Sequence, residues 1–400
     1  MTSNKPAGEG GKPIREKFLI FGVPRFFQEE IKEMLETLRS GWWGTGPKVL
    51  QFEKEFSKYC HSKYAVAVNS ATAAMHLGLN VLGIKSGDEV ITTPLTFVST
   101  ANVIIHSGAK PIFADVDKKT GNIDPKEIEK KINEKTKAII PVHLYGRPCK
   151  MDEITALGKK YNLKIIEDAA HSTEAWYKGK KIGSISDITA FSFYVTKNIA
   201  TGEGGMLVTD NKKWAETAKI RRLHGMSADA WKRYSNEGYK PYEGVYPGYK
   251  YNMIDLQASL GIHQLKRAGA NSKIRDKYWQ MYSRAFKQIS GIIASADDGK
   301  DIIHARHLYT INLELEKLKI SRNQFIDALK AENIGAGVHF TALHLHKYYR
   351  ETFGFKKGDF PKAEWIGERT ISLPFYPHMS EKDINDVIKA VEKLVNYYRK

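Results

Sequence analysis

From Tyr64 onward the chain alternates short apolar runs with stretches of helical period. The runs Tyr64–Val68, Glu89–Thr92, Pro111–Ala114, Ala138–His143, Leu163–Glu167, Ile188–Phe193 and Met206–Thr209 read as strands. Between the first five, Ala71–Leu82, Ser99–His106, Pro125–Ile132 and Met151–Tyr161 carry the spacing of helices. Strands alternating with crossover helices predict a mainly parallel sheet covered on both faces. Ligands of such sheets collect beyond the carboxyl ends of the strands. Ser70-Ala71-Thr72, Thr96-Phe97, Asp168 and Lys197 all fall at those ends.

The pattern breaks at Ser227–Tyr251, which holds many aromatics, Gly238, Gly244, Gly248 and two prolines without a period. It reads as a long loop of the kind that is functional or makes contacts. Helices are expected at Asp255–Arg267 and Asn271–Ile289. Beyond about Gly291 a smaller α+β unit follows, with a strand at His307–Leu313, a helix at Ser321–Glu332, a strand around Ala336–Phe340 and a terminal helix at Glu381–Tyr398. The fold class is therefore α/β. The expected division is a flexible tail at 1–17, polar and rich in Gly, Lys and Ser, a large domain at 18–289 and a small C-terminal domain at 290–400.

Composition narrows the function classes. An apolar content of 42% with 11% aromatics over 400 residues is that of an ordinary globular chain. No apolar run is long enough to span a bilayer and no apolar signal core stands at the N-terminus, so a soluble, cytoplasmic protein is expected, without membrane insertion. Cys60 and Cys149 form neither a disulfide framework nor a metal cluster. The net charge of +17 raises nucleic-acid binding as a rival. Yet the lysines are spread along the chain and mostly alternate with acids, as in Lys126-Glu127-Ile128-Glu129-Lys130-Lys131, and no arginine-rich tract or RNA-binding motif accompanies them. A solvated surface that draws in small anions is the expectation.

The candidate chemistry centres on Lys197, which follows the apolar run Ile188–Val195 and precedes Gly202-Glu203-Gly204-Gly205. A lysine that captures an aldehyde cofactor needs a carboxylate for a pyridinium nitrogen, hydroxyl and backbone donors for a phosphate, and room for close backbone approach. Asp168, ending a buried strand, supplies the carboxylate; the competing reading is a helix cap or structural salt bridge. Ser70-Ala71-Thr72 opens a helix, where free backbone N–H groups can cradle a phosphate or simply cap the helix. Ser192 is a second hydroxyl near Lys197, and Phe97 can stack on a planar ring. These parts suit pyridoxal 5′-phosphate (PLP). Lys197 could otherwise be a snorkelling strand-end lysine. His339, His344 and His346 have a spacing that could suggest zinc, but no acid or thiol lies beside them. His339 and His344 are taken as pocket-lining residues for substrate, and no metal is expected.

The chain resembles the DegT/DnrJ/EryC1/StrS sugar aminotransferases, PLP enzymes of the aspartate aminotransferase fold (fold type I), from about Phe21 to Val395. The likeness is carried, in order, by Ser40-Gly41-Trp42, Gly46-Pro47, Phe52-Glu53, Asn69-Ser70-Ala71-Thr72-Ala73-Ala74, Glu167-Asp168-Ala169-Ala170-His171, Ser192-Phe193, Lys197-Asn198, Gly202-Glu203-Gly204-Gly205, Pro247-Gly248-Tyr249-Lys250-Tyr251-Asn252-Met253 and Ser372-Leu373-Pro374. It implies that Lys197 binds the cofactor covalently and shuttles the proton, and that Asp168 pairs with the ring nitrogen. Ala71, Thr72 and Ser192 would hold the phosphate, Ala71 standing where glycine is more usual. Phe97 would stack on the ring, and His171 stands near the ring oxygen where glutamine is usual. Asn252 would reach the phosphate in a neighbouring subunit, making the active unit a homodimer with shared sites.

Within the family, the Ser-Ala-Thr variant, the Pro-Gly-Tyr-Lys-Tyr-Asn run and His339-Phe340 with Lys347-Tyr348-Tyr349-Arg350-Glu351 are most similar to enzymes that aminate C4 of UDP-linked 4-keto sugars. Those making UDP-4-amino-4-deoxy-arabinose are nearest, with perosamine, bacillosamine-type and dTDP-sugar enzymes as rivals. Lys197 argues against the 3-dehydratase branch, where histidine replaces it. The expected reaction is transfer of the glutamate amino group to a nucleotide-linked keto sugar. The alternative of another class is a non-catalytic PLP or sugar-nucleotide sensor.

Overall fold

The computed structural model describes residues 5–226, 243–296 and 298–400. Seven strands form the main sheet: β1 (Tyr64–Val68), β2 (Glu89–Thr92), β3 (Lys110–Phe113), β4 (Thr136–Ile140), β5 (Lys164–Asp168), β6 (Ile188–Ser192) and β7 (Gly205–Thr209). Their order is β1-β7-β6-β5-β4-β2-β3. β2, β3, β4, β5 and β6 run parallel, while β7 lies antiparallel between β1 and β6. The sheet is thus mainly parallel, as the strand–helix alternation requires, with one reversed strand whose two-sided pairing brings Val68 and Ser192 opposite the same residue, Gly205.

Both faces of the sheet are covered. Alternate residues of β1 show why: Ala65 and Ala67 enter one buried apolar cluster, and Val66 and Val68 enter the other. The helices are α1 (Gln28–Arg39), α2 (Pro47–Tyr59), α3 (Ala71–Val81), α4 (Val98–His106), α5 (Pro125–Glu129), α6 (Met151–Lys160) and α7 (Lys212–Arg221). The periodic reading begins only at Tyr64 and therefore passes over α1 and α2.

The small domain holds an antiparallel sheet of β8 (Ile292–Ala294), β9 (Tyr309–Leu313) and β10 (Thr370–Leu373). Around it lie α9 (Arg322–Ala331), α11 (Pro361–Arg369) and α12 (Glu381–Tyr398), while α10 (Lys347–Phe353) packs through Tyr349 on Phe113 of β3.

Several expectations need correction. The two helices expected after Asp255 are one, α8 (Asp255–Phe286). Gly269 costs such a helix about 1 kcal/mol, but a buried stripe runs past it: Ala258, Ile262, Leu265 and Ala268 pack into the large-domain core, and Tyr278, Trp279, Tyr282 and Phe286 into the small-domain core. Burial of that stripe outweighs the glycine. Ala336–Phe340 is not a strand; only Gly337 bridges to Ser372.

The tail expected to be flexible is bonded to the rest of the fold from Ala7 onward. The buried Glu332 carboxylate accepts the Ala7 and Ile14 amides, each at 2.8 Å, and pairs with Lys393. Arg15 pairs with Asp383 and Asp386. A buried carboxylate must be neutralised and hydrogen-bonded, and this segment supplies two of the donors. Residues 227–242 of the expected loop lie outside the described residues. Its remainder is irregular, with bridges Met226–Gly244 and Leu223–Lys250. Among the described residues no helix is long and apolar enough to cross a membrane.

Candidate active site

A cavity of about 590 Å³ opens at the carboxyl ends of the parallel strands. Ser70, Ala71, Thr72, Phe97, Asp168, His171, Ser192, Lys197 and His339 all line it. Residues separated by 269 positions in sequence, the difference between 339 and 70, therefore meet in one place.

The anion-binding end is built by register. Ser70 caps α3, its hydroxyl accepting the Ala73 amide at 3.1 Å, while the Ala74 amide bonds the Ser70 carbonyl. The geometry of a helix start leaves the Ala71 and Thr72 amides for an acceptor outside the helix. Gly205 sits between Val68 and Ser192 in the sheet, and a Cβ there would stand 2.3 Å from the Ser70 carbonyl carbon. Only glycine lets β7 approach the start of α3 so closely, which draws Ser192 towards the same helix end.

Asp168 ends β5 and is 4% exposed. It accepts hydrogen bonds from Thr100 Oγ1 at 2.8 Å and the Ala170 amide at 3.2 Å. Burial raises its pKa above the ordinary value, opposed by those bonds and by the Lys197 charge. Among the described residues no cation bonds it directly, so a protonated pyridine nitrogen would meet an unmet need. Lys197 keeps some accessible surface in the cavity, yet its ammonium is screened from bulk water. Burial lowers its pKa to about 8, with the Asp168 charge opposing. Its loop is closed at the base, where Phe193 and Gly204 bond through the backbone at 2.8 Å, and Asn198 donates to Glu174 at 2.8 Å and to the Ala305 carbonyl at 2.7 Å.

These residues fit PLP. A separated amine and carboxylate line one cavity, a helix start with two hydroxyls supplies phosphate donors, and Phe97 presents an exposed ring beside them.

The remaining wall comes from elsewhere. His339 lines the cavity, bonds Ser372 Oγ through Nδ1 at 2.8 Å and stacks on Phe21 with centroids 5.6 Å apart. Burial, with Lys197 nearby, lowers its pKa to about 4, so it is neutral at physiological pH. His171, whose pKa burial and Lys197 hold well below the usual value, stacks on Phe340.

Two expected residues lie outside the cavity wall. His344 is buried against Phe360 and bonds Glu364 at 2.9 Å. Its imidazole is committed to the buried cluster in which Phe360 packs with Phe113 of β3, because a histidine four residues beyond Phe340 has turned back into the core through the turn Leu343–Leu345. Asn252 bonds Thr45 Oγ1 at 2.8 Å and bridges Val68. Among the described residues no cluster of His, Cys, Asp and Glu is suited to a metal.

Sequence reasoning missed Thr100, Tyr145, Val338 and Phe340. Thr100 left a signal, a second threonine just after the strand-end Thr96-Phe97, and the two hydroxyls lie 2.9 Å apart.

Comparison with known proteins gives the family. A model of the DegT/DnrJ/EryC1/StrS aminotransferase family matches residues 24–392. An uncharacterized protein of Methanocaldococcus jannaschii is 55% identical over 386 residues, covering 96% of this chain and 100% of that protein. The spore coat polysaccharide biosynthesis protein SpsC of Bacillus subtilis is 52% identical over 384 residues, 95% of this chain and 98% of that one. The sugar aminotransferase Spr1654 of Streptococcus pneumoniae, described as putative and solved in its PMP and PLP forms, superposes with TM-scores of 0.88 and 0.87 at 34% identity, over 95% of this chain and 99% of that one. The chain belongs to the DegT/DnrJ/EryC1/StrS aminotransferase family.

Proposed function

We propose that this member of the family moves the amino group of glutamate to C4 of a UDP-linked 4-keto sugar, with Lys197 and Asp168 as the catalytic pair. It is a sugar aminotransferase with PLP as cofactor, serving nucleotide-sugar and polysaccharide biosynthesis. The observation that carries the residue roles is the shared cavity: Lys197, Asp168 and the start of α3 border one space at the strand ends.

Lys197 Nζ would hold the cofactor covalently, Asp168 its ring nitrogen, and the Ala71 and Thr72 amides with Ser192 its phosphate. Phe97 would lie against its ring and His171 near its ring oxygen. When bound, PLP supplies an electron sink that stabilises negative charge at the carbon bearing the amino group. The protein moves the protons. A buried Lys197 amine with a pKa of about 8 both takes and gives a proton near neutral pH. Asp168 stays anionic once a cation stands beside it, because an opposite charge offsets its burial. His339, neutral and held by Ser372 and Phe21, orients the keto sugar without adding charge.

We further propose a cytoplasmic homodimer in which Asn252 serves the other subunit's cofactor phosphate. Phe18, Ile20, Phe26 and Trp43 are each more than half exposed. Large apolar side chains left this exposed support a second copy as their cover.

The test is a panel of UDP-, GDP- and dTDP-linked 4-keto sugars offered with glutamate and the PLP-loaded enzyme. Formation of 2-oxoglutarate with the UDP sugar, and amine at C4 by NMR of the product, is the expected result. Preference for the GDP or dTDP sugar would replace the carrier, and amine at C3 would refute the position.

A further inference from the structure

We infer that Tyr145 is a positioning residue that ties the two sides of the cavity together, through His171 with its backbone and through His339 with its hydroxyl. It does not line the cavity itself. The inference rests on the proposed role of His339 toward the acceptor sugar.

Tyr145 stands in the single-turn segment Leu144–Gly146 beyond β4, with φ 61° and ψ 0°. A bulky residue in the left-handed region is strained and persists where the surroundings over-determine it. Here they do. Its carbonyl accepts the His307 and Leu308 amides at 3.1 and 3.2 Å. Its own amide donates to His171 Nδ1 at 3.2 Å. Its hydroxyl donates to the His339 carbonyl and lies 3.5 Å from Thr370 Oγ1. One residue thus joins the turn after β4, the loop after β5, the entry to β9 and the small-domain wall.

The neighbouring glycine serves the same end. A Cβ on Gly146, whose φ is 105°, would stand 2.9 Å from the His171 carbonyl. Glycine there lets the turn come close enough for the Tyr145 amide to reach the His171 ring.

The backbone arm fixes a tautomer. A neutral His171 whose Nδ1 accepts a hydrogen bond carries its proton on Nε2, which makes that nitrogen a donor. The hydroxyl arm fixes a position. Behind Tyr145 lies a second cavity of about 380 Å³, bordered also by Trp279 and Trp365. The Tyr145 ring packs against the buried cluster of Leu95, Phe113 and Leu144, which leaves the hydroxyl free to hold the His339 carbonyl.

Tyr145→Phe removes the hydroxyl arm and keeps the backbone arm, so the two separate in kinetics. The sugar in the assay is the one the wild type turns over fastest in the panel above. Loss of one buried hydrogen bond predicts a half-saturation concentration for that sugar raised about ten-fold. The glutamate half-reaction and the cofactor absorption spectrum should stay within about two-fold of wild type, since the His171 bond survives. Equal slowing of both half-reactions, or no change in either, overturns the inference and leaves the proposed function standing. His339→Ala is run alongside and should show the same one-sided effect. If His339→Ala spares the sugar half-reaction, the reading of His339 fails and the inference falls with it.

Discussion

The proposed cofactor side and the proposed acceptor side of the cavity are built by different means. The first is a product of sheet register: Gly205 opposes both Val68 and Ser192, β5 ends in Asp168, and the loop after β6 presents Lys197. The second has little regular structure. His339 and Phe340 lie in an irregular segment, and their placement depends on side-chain and single-residue contacts with Phe21, Ser372 and Tyr145. A regular sheet suits atoms that a cofactor site must hold in place, whereas an irregular wall can be reshaped without disturbing them. The cofactor half should therefore respond to substitution in both half-reactions, and the acceptor half in one only.

The largest effect should follow Lys197→Ala, which removes covalent capture and the proton carrier together. A loss of roughly 1,000-fold or more in 2-oxoglutarate formation is expected, with every sugar on the panel. Activity within ten-fold of wild type would dissolve the distinction at its strongest point. Asp168→Asn keeps the shape and removes the charge. Glutamate turnover should fall roughly 100-fold, and the cofactor should still bind, as read by absorbance after gel filtration. Unchanged turnover would show that Asp168 is a structural carboxylate held by Thr100.

The next effect is on pH. An amine must be neutral to attack an aldehyde, and burial sets the Lys197 pKa at about 8 against 10.5 for an ordinary lysine. PLP uptake by the apo-protein should slow about ten-fold per unit of pH below that value and level off above it. Stopped-flow absorbance would read this, and a rate still climbing at about pH 10 would place Lys197 in an aqueous setting.

The smallest effect sharpens the acceptor side. Phe21→Ala removes the ring stacked on His339, and such a contact is worth about 1 kcal/mol. The sugar half-reaction should weaken roughly five-fold while the glutamate half-reaction is unchanged. A change confined to glutamate would mean that Phe21 and His339 serve the donor instead.

The same division explains what could be read from the chain alone. The succession of strands and the strand-end positions of Asp168 and Lys197 on one cavity were legible because apolar runs mark strands and ligands collect at strand ends. The α/β class and the main parallel sheet follow from the same pattern. Long-range packing was not legible. The continuity of α8 through Gly269 depends on two cores that its buried stripe joins. The N-terminal segment looked flexible because its composition says nothing of the distant Glu332 that anchors it. His344 was placed near the cavity by its nearness to His339 in sequence, yet the turn at Leu343–Leu345 carries it to Glu364. Tyr145 left no signal, because its role depends on a backbone conformation and on partners at 171, 307, 339 and 370.

Borohydride reduction of the PLP-loaded protein, followed by peptide mapping by mass spectrometry, bears most directly on a cofactor gripped between Lys197 and Asp168. A single pyridoxyl group on the peptide carrying Lys197, lost in Lys197→Ala, is the predicted result. A pyridoxyl group on any other lysine, or none on the yellow wild-type protein, would contradict it.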